Sequence, residues 1–326
     1  MRSPRRRRGG ASTRAAAGPR AGEPPGEPAS AARDGGVRPV PGTPASGRST
    51  GRTATPQKPV APRITLLTDF GTADGYVAAM KGVLAERAPG AAVDDATHEI
   101  APGDVTAAAL ALSRYWRLYP PGTVHVAVVD PGVGSGRRAL AGLADGRYLV
   151  APDNGLLTRV LDEAADVALV AIENPAHMRH PVSATFHGRD IFAPAAAWLA
   201  SAGAGRPDPA RLAELGPAVR DPVRLPWPRP WRDAHGAAHG TVVHVDRFGN
   251  LITNLPRDWA PPGGAVRVDG VEVGPVRRTY ADVPPGGLVA LVGSAELLEV
   301  AVRDGSAAAR LGKGRGAEVV VEGASG

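Results

Sequence analysis

Apolar and polar residues alternate in blocks from about Arg63 onward, and the blocks predict strands and helices in turn. The first apolar run, Ile64 to Thr68, has the length of a buried strand. Asp104 stands where the N-cap of a helix is expected. This rhythm is typical of an α/β domain with a mostly parallel sheet covered by helices. Further strands are predicted at 123–129, 148–151 and 167–172, and helices at 75–87, 104–118, 155–161 and 191–200.

The pattern changes after this first region. Residues 202–232 are rich in Pro, Gly and Arg, which is typical of a linker. Short β-rich segments with Pro and Gly turns follow, and they predict a small barrel or sandwich; they lie at 240–245, 251–254, 265–268, 288–292 and 317–321. The expected organisation is a tail at 1–62, an α/β domain at 63–203, a linker at 204–234 and a β-rich domain at 235–326.

The net charge of +6 is unevenly distributed along the 326 residues. Residues 1–62 carry twelve Lys and Arg against three acidic residues, a net of +9, and the remainder of the chain carries −3. The tail has scarcely a large apolar residue, so we expect it to be disordered. Because the basicity belongs to the tail, we predict no nucleic-acid partner for the body of the chain.

The absence of two further features narrows the function classes. No apolar run approaches the ~20 residues of a membrane helix, so we expect a soluble protein without a membrane partner. Cysteine is absent from the sequence, which excludes disulfides and a cysteine nucleophile and fits the cytoplasm, the expected location. Asp94, Asp95 and His98 lie near one another, but their spacing is not that of a metal site, and we expect no metal.

Five clusters of polar residues stand at predicted strand ends or in turns. In α/β sheets, ligands bind beyond the carboxyl ends of the strands. Turn and cap chemistry also explains an Asp beside a Gly, so each cluster alone leaves a structural and a functional interpretation open. The clusters contain Asp69 and Asp74; Asp130, Arg137 and Arg138; Asp153 and Asn154; His187, Arg189 and Asp190; and Asp246, Phe248, Asn250 and Asn254.

Taken together and in this order, the clusters resemble one family, the S-adenosyl-L-methionine (SAM) hydrolases or SAM hydroxide adenosyltransferases, which are related to fluorinase and chlorinase. The resemblance covers nearly all of residues 63–322, and it implies an N-terminal α/β domain, a C-terminal β-barrel and a homotrimer with SAM between neighbouring subunits. The matching passages are ITLLTDFGTADGYVAAMKG, DDATHEIAPGDVTAAAL, VHVAVVDPGVGSGRR, YLVAPDNGLLTRV, SATFHGRDIFAPAAAWLA, HVDRFGNLITNL and VGSAELLEVAVRDGSAA.

Three differences favour a hydrolase over a halogenase within this family. The chain has Asp130-Pro-Gly-Val where halogenases resemble Tyr-Pro-x-Thr, and His187 where they have Tyr. Only nine residues separate Arg138 from Tyr148, where halogenases carry a long insertion. The resemblance therefore implies a catalytic triad of Asp130, Arg137 and His187. Our hypothesis is that Arg137 favours hydroxide character in the attacking water while His187 and Asp130 orient it and accept its proton, with the division of roles left open.

The resemblance also implies which residues bind the substrate. Two departures concern the methionine end of the pocket: Gly103 stands where relatives often carry an aromatic residue, and Ala295 stands where halogenases have an arginine near the carboxylate. The implied contacts are Asp69 with the ribose hydroxyls, Asp74 and Asp246 with the methionine ammonium, Ser294 with its carboxylate, and Phe248 and Asn250 with adenine.

The sequence thus predicts an enzyme that hydrolyses SAM to adenosine and L-methionine by in-line attack of water on the ribose 5′ carbon. SAM is the substrate, so no cofactor is expected. Two alternatives are a halogenase-like enzyme that uses chloride or fluoride and a catalytically idle SAM- or adenosine-binding protein. The identities of Asp130 and His187 speak against the first, and the complete triad speaks against the second. Release of adenosine without added halide would separate them.

Overall fold

The computed structural model describes residues 61–203 and 207–323. The expected disorder of the tail falls on residues 1–60, which lie outside the described residues. Among the described helices, none is both long and apolar enough to cross a membrane.

The first region is a six-stranded sheet in the order β2-β1-β3-β5-β4-β6. Five of its strands run in one direction and β4 runs against them, so the sheet is mixed but mostly parallel, as predicted. The strands are β1 (Arg63–Thr68), β2 (Ala92–Thr97), β3 (Val124–Val128), β4 (Ala139–Ala144), β5 (Arg147–Pro152) and β6 (Val167–Ala171).

Helices cover both faces of this sheet because alternate strand residues point to opposite sides. On one face, Ile64 and Leu66 of β1 pack with α1 (Tyr76–Arg87) and α4 (Ala193–Ala200). On the other face, Leu67 packs with α2 (Val105–Tyr115) and α3 (Thr158–Glu163). Asp104 caps α2 as predicted, since its Oδ1 accepts a hydrogen bond from the backbone N–H of Ala107 at 2.9 Å.

Two strands of the sheet were not predicted. β2 reads AVDDAT and is too polar to resemble a buried strand, and it forms the edge of the sheet beside β1. β4 reads ALAGLA, whose Ala and Gly residues have low β-propensity. A Cβ at Gly142 would lie 3.3 Å from the backbone oxygen of Ala168 in β6 and would collide with the side chain of Leu169. The small residues of β4 therefore allow close packing between its two neighbours.

The C-terminal region is a closed barrel of seven strands, which decides between the barrel and the sandwich left open by the strand pattern. Pairing runs β14-β10-β11-β12-β13-β9-β8, and the β14–β8 pair closes the ring while β7 adds to β8 outside it. The strands are β7 (Trp231–Arg232), β8 (Ala238–Val245), β9 (Leu251–Pro256), β10 (Ala265–Val268), β11 (Val271–Arg277), β12 (Leu288–Val292), β13 (Leu297–Val302) and β14 (Glu318–Glu322). Of these, β7, β11 and β13 were not predicted.

The described part of the expected linker contacts the α/β region. Helix α5 (Pro209–Ala213) buries Leu212 in the core beside α4, and Ala218 pairs with Val170 of β6. Helix α6 (Ala307–Leu311) belongs to the barrel. The two regions also meet through Arg315, whose Nη2 lies 2.7 Å from Oδ2 of Asp104. The domain boundaries stay a prediction.

Candidate active site

The ends of two neighbouring strands place two of the predicted carboxylates at one edge of the sheet. β1 pairs with β3 in parallel, with Thr68 opposite Val128, and both strands end there. Asp69 follows the first strand directly, and Asp130 follows the second after one residue. Because the carboxyl ends of parallel strands meet at the same edge, both aspartates line one cavity.

The structure brings the predicted triad into direct contact. The guanidinium of Arg137 donates from Nε to Oδ1 of Asp130 at 2.9 Å and from Nη2 to Oδ2 of the same carboxylate. The same Nη2 lies 2.8 Å from Nδ1 of His187. The side chains of Asp130 and Arg137 are only 5% and 9% exposed, so this ion pair is shielded from water. Arg137 therefore bridges the loop after β3 and the segment before α4.

The contact with Arg137 selects one tautomer of His187. A guanidinium has only donors, so Nδ1 of His187 must accept and its ring proton must reside on Nε2. Burial lowers the pKa of His187, and the positive charge of Arg137 lowers it further, against a smaller opposing effect of Asp130 and Asp190. The imidazole is therefore neutral at neutral pH.

The cavity beside the triad has a volume of about 510 Å³. Asp130 and His187 line it, whereas Arg137 lies behind them. Asp69 lines it as well, with Oδ2 accepting a hydrogen bond from the backbone N–H of Gly103 at 2.8 Å. Asp74 is exposed and is not part of this wall. The structure thus brings together four of the nine predicted site residues, one of them behind the wall.

Three aromatic side chains complete the cavity wall and were not predicted as functional. Phe70, Tyr76 and Phe186 pack edge to face, with ring centroids 5.2 to 6.0 Å apart. All three lie inside the passages that carry the polar clusters, and this position in the sequence could have indicated that they belong to the site. They give the cavity an apolar part of its wall beside its carboxylates, as small-molecule sites commonly have.

The remaining predicted residues, Asp246, Phe248, Asn250 and Ser294, line a second cavity of about 510 Å³. The two cavities have no lining residue in common. The carboxylate of Asp246 accepts hydrogen bonds from the backbone N–H groups of Phe248 and Asn250, both at 2.9 Å, and from the amide of Asn250 at 3.1 Å. The Phe248 side chain is 76% exposed. The fifth cluster is therefore a tight turn that also presents an aromatic ring and an amide.

The third cluster is structural in this protein. Asp153 accepts from the backbone N–H of Val223 at 2.8 Å and from Nε of Arg138 at 2.7 Å. Asn154 donates to the carbonyl of Val129 and accepts from the backbone N–H of Leu156, which supports the turn before α3. Arg138 points away from the cavity toward Asp221. Of the two neighbouring arginines, Arg137 is therefore the one whose side chain contacts Asp130 and His187.

Asp94, Asp95 and His98, whose spacing did not predict a metal site, contact neighbouring side chains or one another. His98 is buried, with Nδ1 2.9 Å from Oγ1 of Thr68 and Nε2 3.0 Å from Oδ1 of Asp95. Asp94 pairs with Arg63, and Asp95 accepts from Lys81 at 2.6 Å. Over residues 61–203 and 207–323, no group of three or more His, Asp and Glu side chains converges in a way that could hold a metal ion.

Comparison with known protein families gives two matches, one in each region. Residues 64–206 match the N-terminal domain of the SAM hydroxide adenosyltransferases, and residues 240–320 match the C-terminal domain. Over 260 residues the chain is 48% identical to the (R)-S-adenosyl-L-methionine hydrolase of Thermus thermophilus, a match that covers 78% of this chain and 96% of that protein. It is 46% identical to the (R)-S-adenosyl-L-methionine hydrolase of Salinispora arenicola, over 76% of this chain and 92% of that one.

More distant similarity extends to a fluorinase from an Actinoplanes species, 31% identical over 60% of this chain and 72% of that protein. Among solved structures, an uncharacterized conserved protein from Thermotoga maritima is similar with a TM-score of 0.72 and 36% identity, over 80% of this chain and all of that one. This chain belongs to the SAM hydroxide adenosyltransferase family.

Proposed function

We propose that this protein hydrolyses SAM to adenosine and L-methionine. The observation that carries the proposal is the buried Asp130–Arg137 ion pair in contact with a neutral His187 at the wall of a cavity that also contains Asp69. The 48% and 46% identical relatives are named as hydrolases of this substrate, whereas the fluorinase is 31% identical. The fold supplies a site of the right size and polarity for a nucleoside with a charged tail.

The reaction needs little help at the leaving group. The sulfonium of SAM departs as a neutral thioether, so no acid is required at sulfur. A water oxygen forms a bond to the ribose 5′ carbon while the carbon–sulfur bond breaks with its electron pair going to sulfur. The water must also lose one proton. The protein therefore has to place a water in line with the breaking bond and to take up that proton.

The geometry supports a division of these tasks. With its proton on Nε2, His187 donates a hydrogen bond to the water oxygen and leaves the other lone pair of that oxygen to attack. Asp130 accepts a hydrogen bond from the water and takes the proton as the new bond makes the oxygen acidic. Arg137 holds both side chains in place from behind the cavity wall and is a positioning residue. Neither a metal nor a cofactor has a task in this scheme, because the substrate carries the activating charge.

The division of the predicted substrate-binding residues supports a site made by two subunits. Asp69 lines the first cavity, and Asp246, Phe248, Asn250 and Ser294 line the second. A homotrimer in which the first cavity of one subunit faces the second cavity of its neighbour brings the ribose-binding and adenine-binding groups together around one SAM. Such head-to-tail contacts close into a ring. The proposal includes this trimer and a cytoplasmic location.

The proposed function is tested by incubating the purified protein with SAM, in the R form that the relatives' names specify, in halide-free buffer. Adenosine and methionine should appear together in equal amounts. A requirement for chloride or fluoride would indicate a halogenase. Adenosine that copurifies without turnover would indicate a binding protein.

The pH profile follows from the lowered pKa of His187. Neutral His187 is the form that accepts from Arg137, and a lowered pKa keeps that form down to a pH below the ordinary value of 6.5. We expect kcat/KM to be constant across neutral pH and to fall only at more acidic pH, where protonated His187 repels Arg137. Measurements of kcat/KM between about pH 4 and 9 check this, because carboxylates and imidazoles titrate in that range. In His187→Gln the rate should be low and the acid limb should differ from that of the wild type, because only the protonation of Asp130 remains to cause it; an unchanged limb would show that His187 is not its source.

Subunit mixing tests the shared site. Arg137→Ala disables the first cavity, and Asn250→Ala disables the second; each homotrimer should be nearly inactive. When the two variants are unfolded together and refolded as mixed trimers, roughly one site in four combines two intact cavities, so about a quarter of the wild-type activity should return. Activity that does not rise on mixing, in a sample shown by light scattering to be trimeric, would place the whole site within one subunit.

A further inference from the structure

One buried residue, His98, contacts both ends of the turn that follows β1 and carries Asp69. At the start of the turn, Nδ1 of His98 lies 2.9 Å from Oγ1 of Thr68. At its end, the backbone N–H of Gly71 donates to the carbonyl oxygen of His98 at 2.9 Å. Thr68 is fully buried and His98 is 5% exposed, so water does not compete for the contact between their side chains. Because His98 follows β2, the neighbour of β1 in the sheet, it joins the ends of these two strands.

The hydrogen bonds around the His98 ring have one consistent direction. Nε2 lies 3.0 Å from Oδ1 of Asp95, and a carboxylate only accepts, so the ring proton belongs on Nε2. In the neutral ring, Nδ1 then accepts from the hydroxyl of Thr68. The same hydroxyl oxygen accepts from the backbone N–H of Phe70 at 3.2 Å. These contacts form a relay from the backbone of the turn to the carboxylate of Asp95.

The relay lies outside the first cavity, and Asp69 connects it to that cavity. The side chains of Thr68, Asp95 and His98 do not line the cavity, whereas Asp69, within the turn, does. Oδ2 of Asp69 accepts from the backbone N–H of Gly103 at 2.8 Å, and a carboxylate has capacity for further hydrogen bonds. The relay therefore acts on a ligand only through the position of the turn.

We propose that His98 is a positioning residue that, through Thr68 and the turn, sets the position of the Asp69 carboxylate for the ribose hydroxyls of the substrate. The inference rests on the proposed function, in which Asp69 binds those hydroxyls. The turn ends at Gly71 with a φ of 61°, and a glycine by itself restricts the backbone little. The contacts with His98 supply that restriction. A binding group that is already held in place loses less conformational entropy when the ligand binds.

The binding of two nucleosides measures the position of Asp69 without the reaction. Adenosine carries both ribose hydroxyls, and 2′,3′-dideoxyadenosine carries neither. In calorimetry, wild-type protein should bind adenosine about ten- to a hundred-fold more tightly, since hydrogen bonds to a charged group are lost with the dideoxynucleoside. Asp69→Asn should remove most of this preference.

Thr68→Val keeps the shape of the side chain but removes the hydroxyl that connects His98 to the turn. It should lower the preference for adenosine about five-fold or more, whereas Thr68→Ser, which retains the hydroxyl, should keep the preference. In the Asp69→Asn protein, Thr68→Val should change the preference no further, since substitutions that act through one contact are not additive. His98→Asn places an amide near the position of Nδ1 and should keep more of the preference than His98→Gln, whose amide lies nearer to that of Nε2.

The matched control is Thr65→Val, three residues earlier on the same strand. Thr65 is also buried, and its Oγ1 lies 2.8 Å from Nδ1 of His125. Thr65→Val should lower the melting temperature by an amount similar to that of Thr68→Val but keep the full preference for adenosine. The comparison separates the loss of a buried hydrogen bond between threonine and histidine from the loss of the position of Asp69.

An unchanged preference in a folded Thr68→Val protein, or an equal loss of preference in Thr65→Val, would overturn the inference. Wild-type protein that binds both nucleosides equally would overturn it as well. If Thr68→Val does not fold, the two His98 variants decide the question, and equal preferences in both would contradict the relay. SAM hydrolysis is measured separately. A protein that shows the expected preferences but releases no adenosine from SAM would contradict the proposed function alone.

Discussion

Arg137→Ala is expected to reduce kcat by about a hundred-fold or more while KM for SAM changes little. Arg137 donates to both oxygens of Asp130 and to Nδ1 of His187, so its removal frees the two side chains that position the water in the proposed mechanism. Displacements of about 1 Å in catalytic groups can cost about a hundred-fold in rate. Because Arg137 is not among the residues that line the first cavity, its removal leaves that lining intact.

The same substitution should also destabilise the fold. Asp130 has a side chain that is 5% exposed, and without Arg137 it becomes a buried carboxylate without a counter-ion. Removing one member of a buried pair costs about 3–5 kcal/mol of the free energy of unfolding. Urea unfolding measures this cost. Partial recovery of kcat on addition of free guanidinium would show that the guanidinium group is what the variant lacks.

The neighbouring arginine provides the control. Arg138 pairs with Asp153 and Asp221 and points away from the cavity. Arg138→Ala should therefore lower the free energy of unfolding. Its kcat should stay within about two-fold of wild type, because the Arg138 side chain contacts neither Asp130 nor His187 and the effects of separate sites are independent. A folded Arg137→Ala protein with wild-type kcat, or an Arg138→Ala protein with the larger loss of kcat, would contradict the assignment of the triad.

Gly134→Ala should abolish most of the activity and lower the free energy of unfolding, although Gly134 has no side chain that could bind the substrate or take part in the reaction. The residue has a φ of 78°, and a Cβ there would collide with the backbone oxygen of Ala184. Left-handed backbone costs a non-glycine residue about 1–3 kcal/mol, and a clash with backbone cannot be relieved by rotating a side chain. The loop with Arg137 would have to move away from the segment that carries His187. The contact between them would then lengthen.

Gly136 in the same loop allows a matched comparison. A Cβ at Gly136 would meet no atom within 4 Å, so Gly136→Ala should fold and turn over as wild type. Thermal melting and kcat for the two variants test the argument. Equal melting temperatures and equal kcat values for Gly134→Ala and Gly136→Ala would show that the contact between Arg137 and His187 does not depend on close packing of Gly134 against Ala184.

The fold class was predictable because its signals are local. Strand β3 and helix α2 are mostly apolar, and the observed start of each differs from the predicted start by one residue, whereas α2 ends at Tyr115 and not at residue 118 as predicted. β13 reads LLEVAV and was missed, since the charged Glu299 interrupts the apolar run. In the structure Glu299 lines the second cavity, and the neighbouring strands of the barrel hold β13 in the sheet despite this charged residue. No local pattern contains that information.

The sequence by itself determined the family, the residue types of the triad and the turn residues that carry them, because these depend on short, contiguous passages. Only the tertiary structure decided which groups meet. In the structure, Arg137 contacts His187 without lining the first cavity, and Arg138 pairs with Asp153. Asp74 lies outside the first cavity. The structure also placed the predicted substrate-binding residue Asp69 in the first cavity and the predicted residues Asp246, Phe248, Asn250 and Ser294 in the second. Contacts between residues fifty positions apart depend on sheet order and barrel closure, and these arise from the packing of the whole chain.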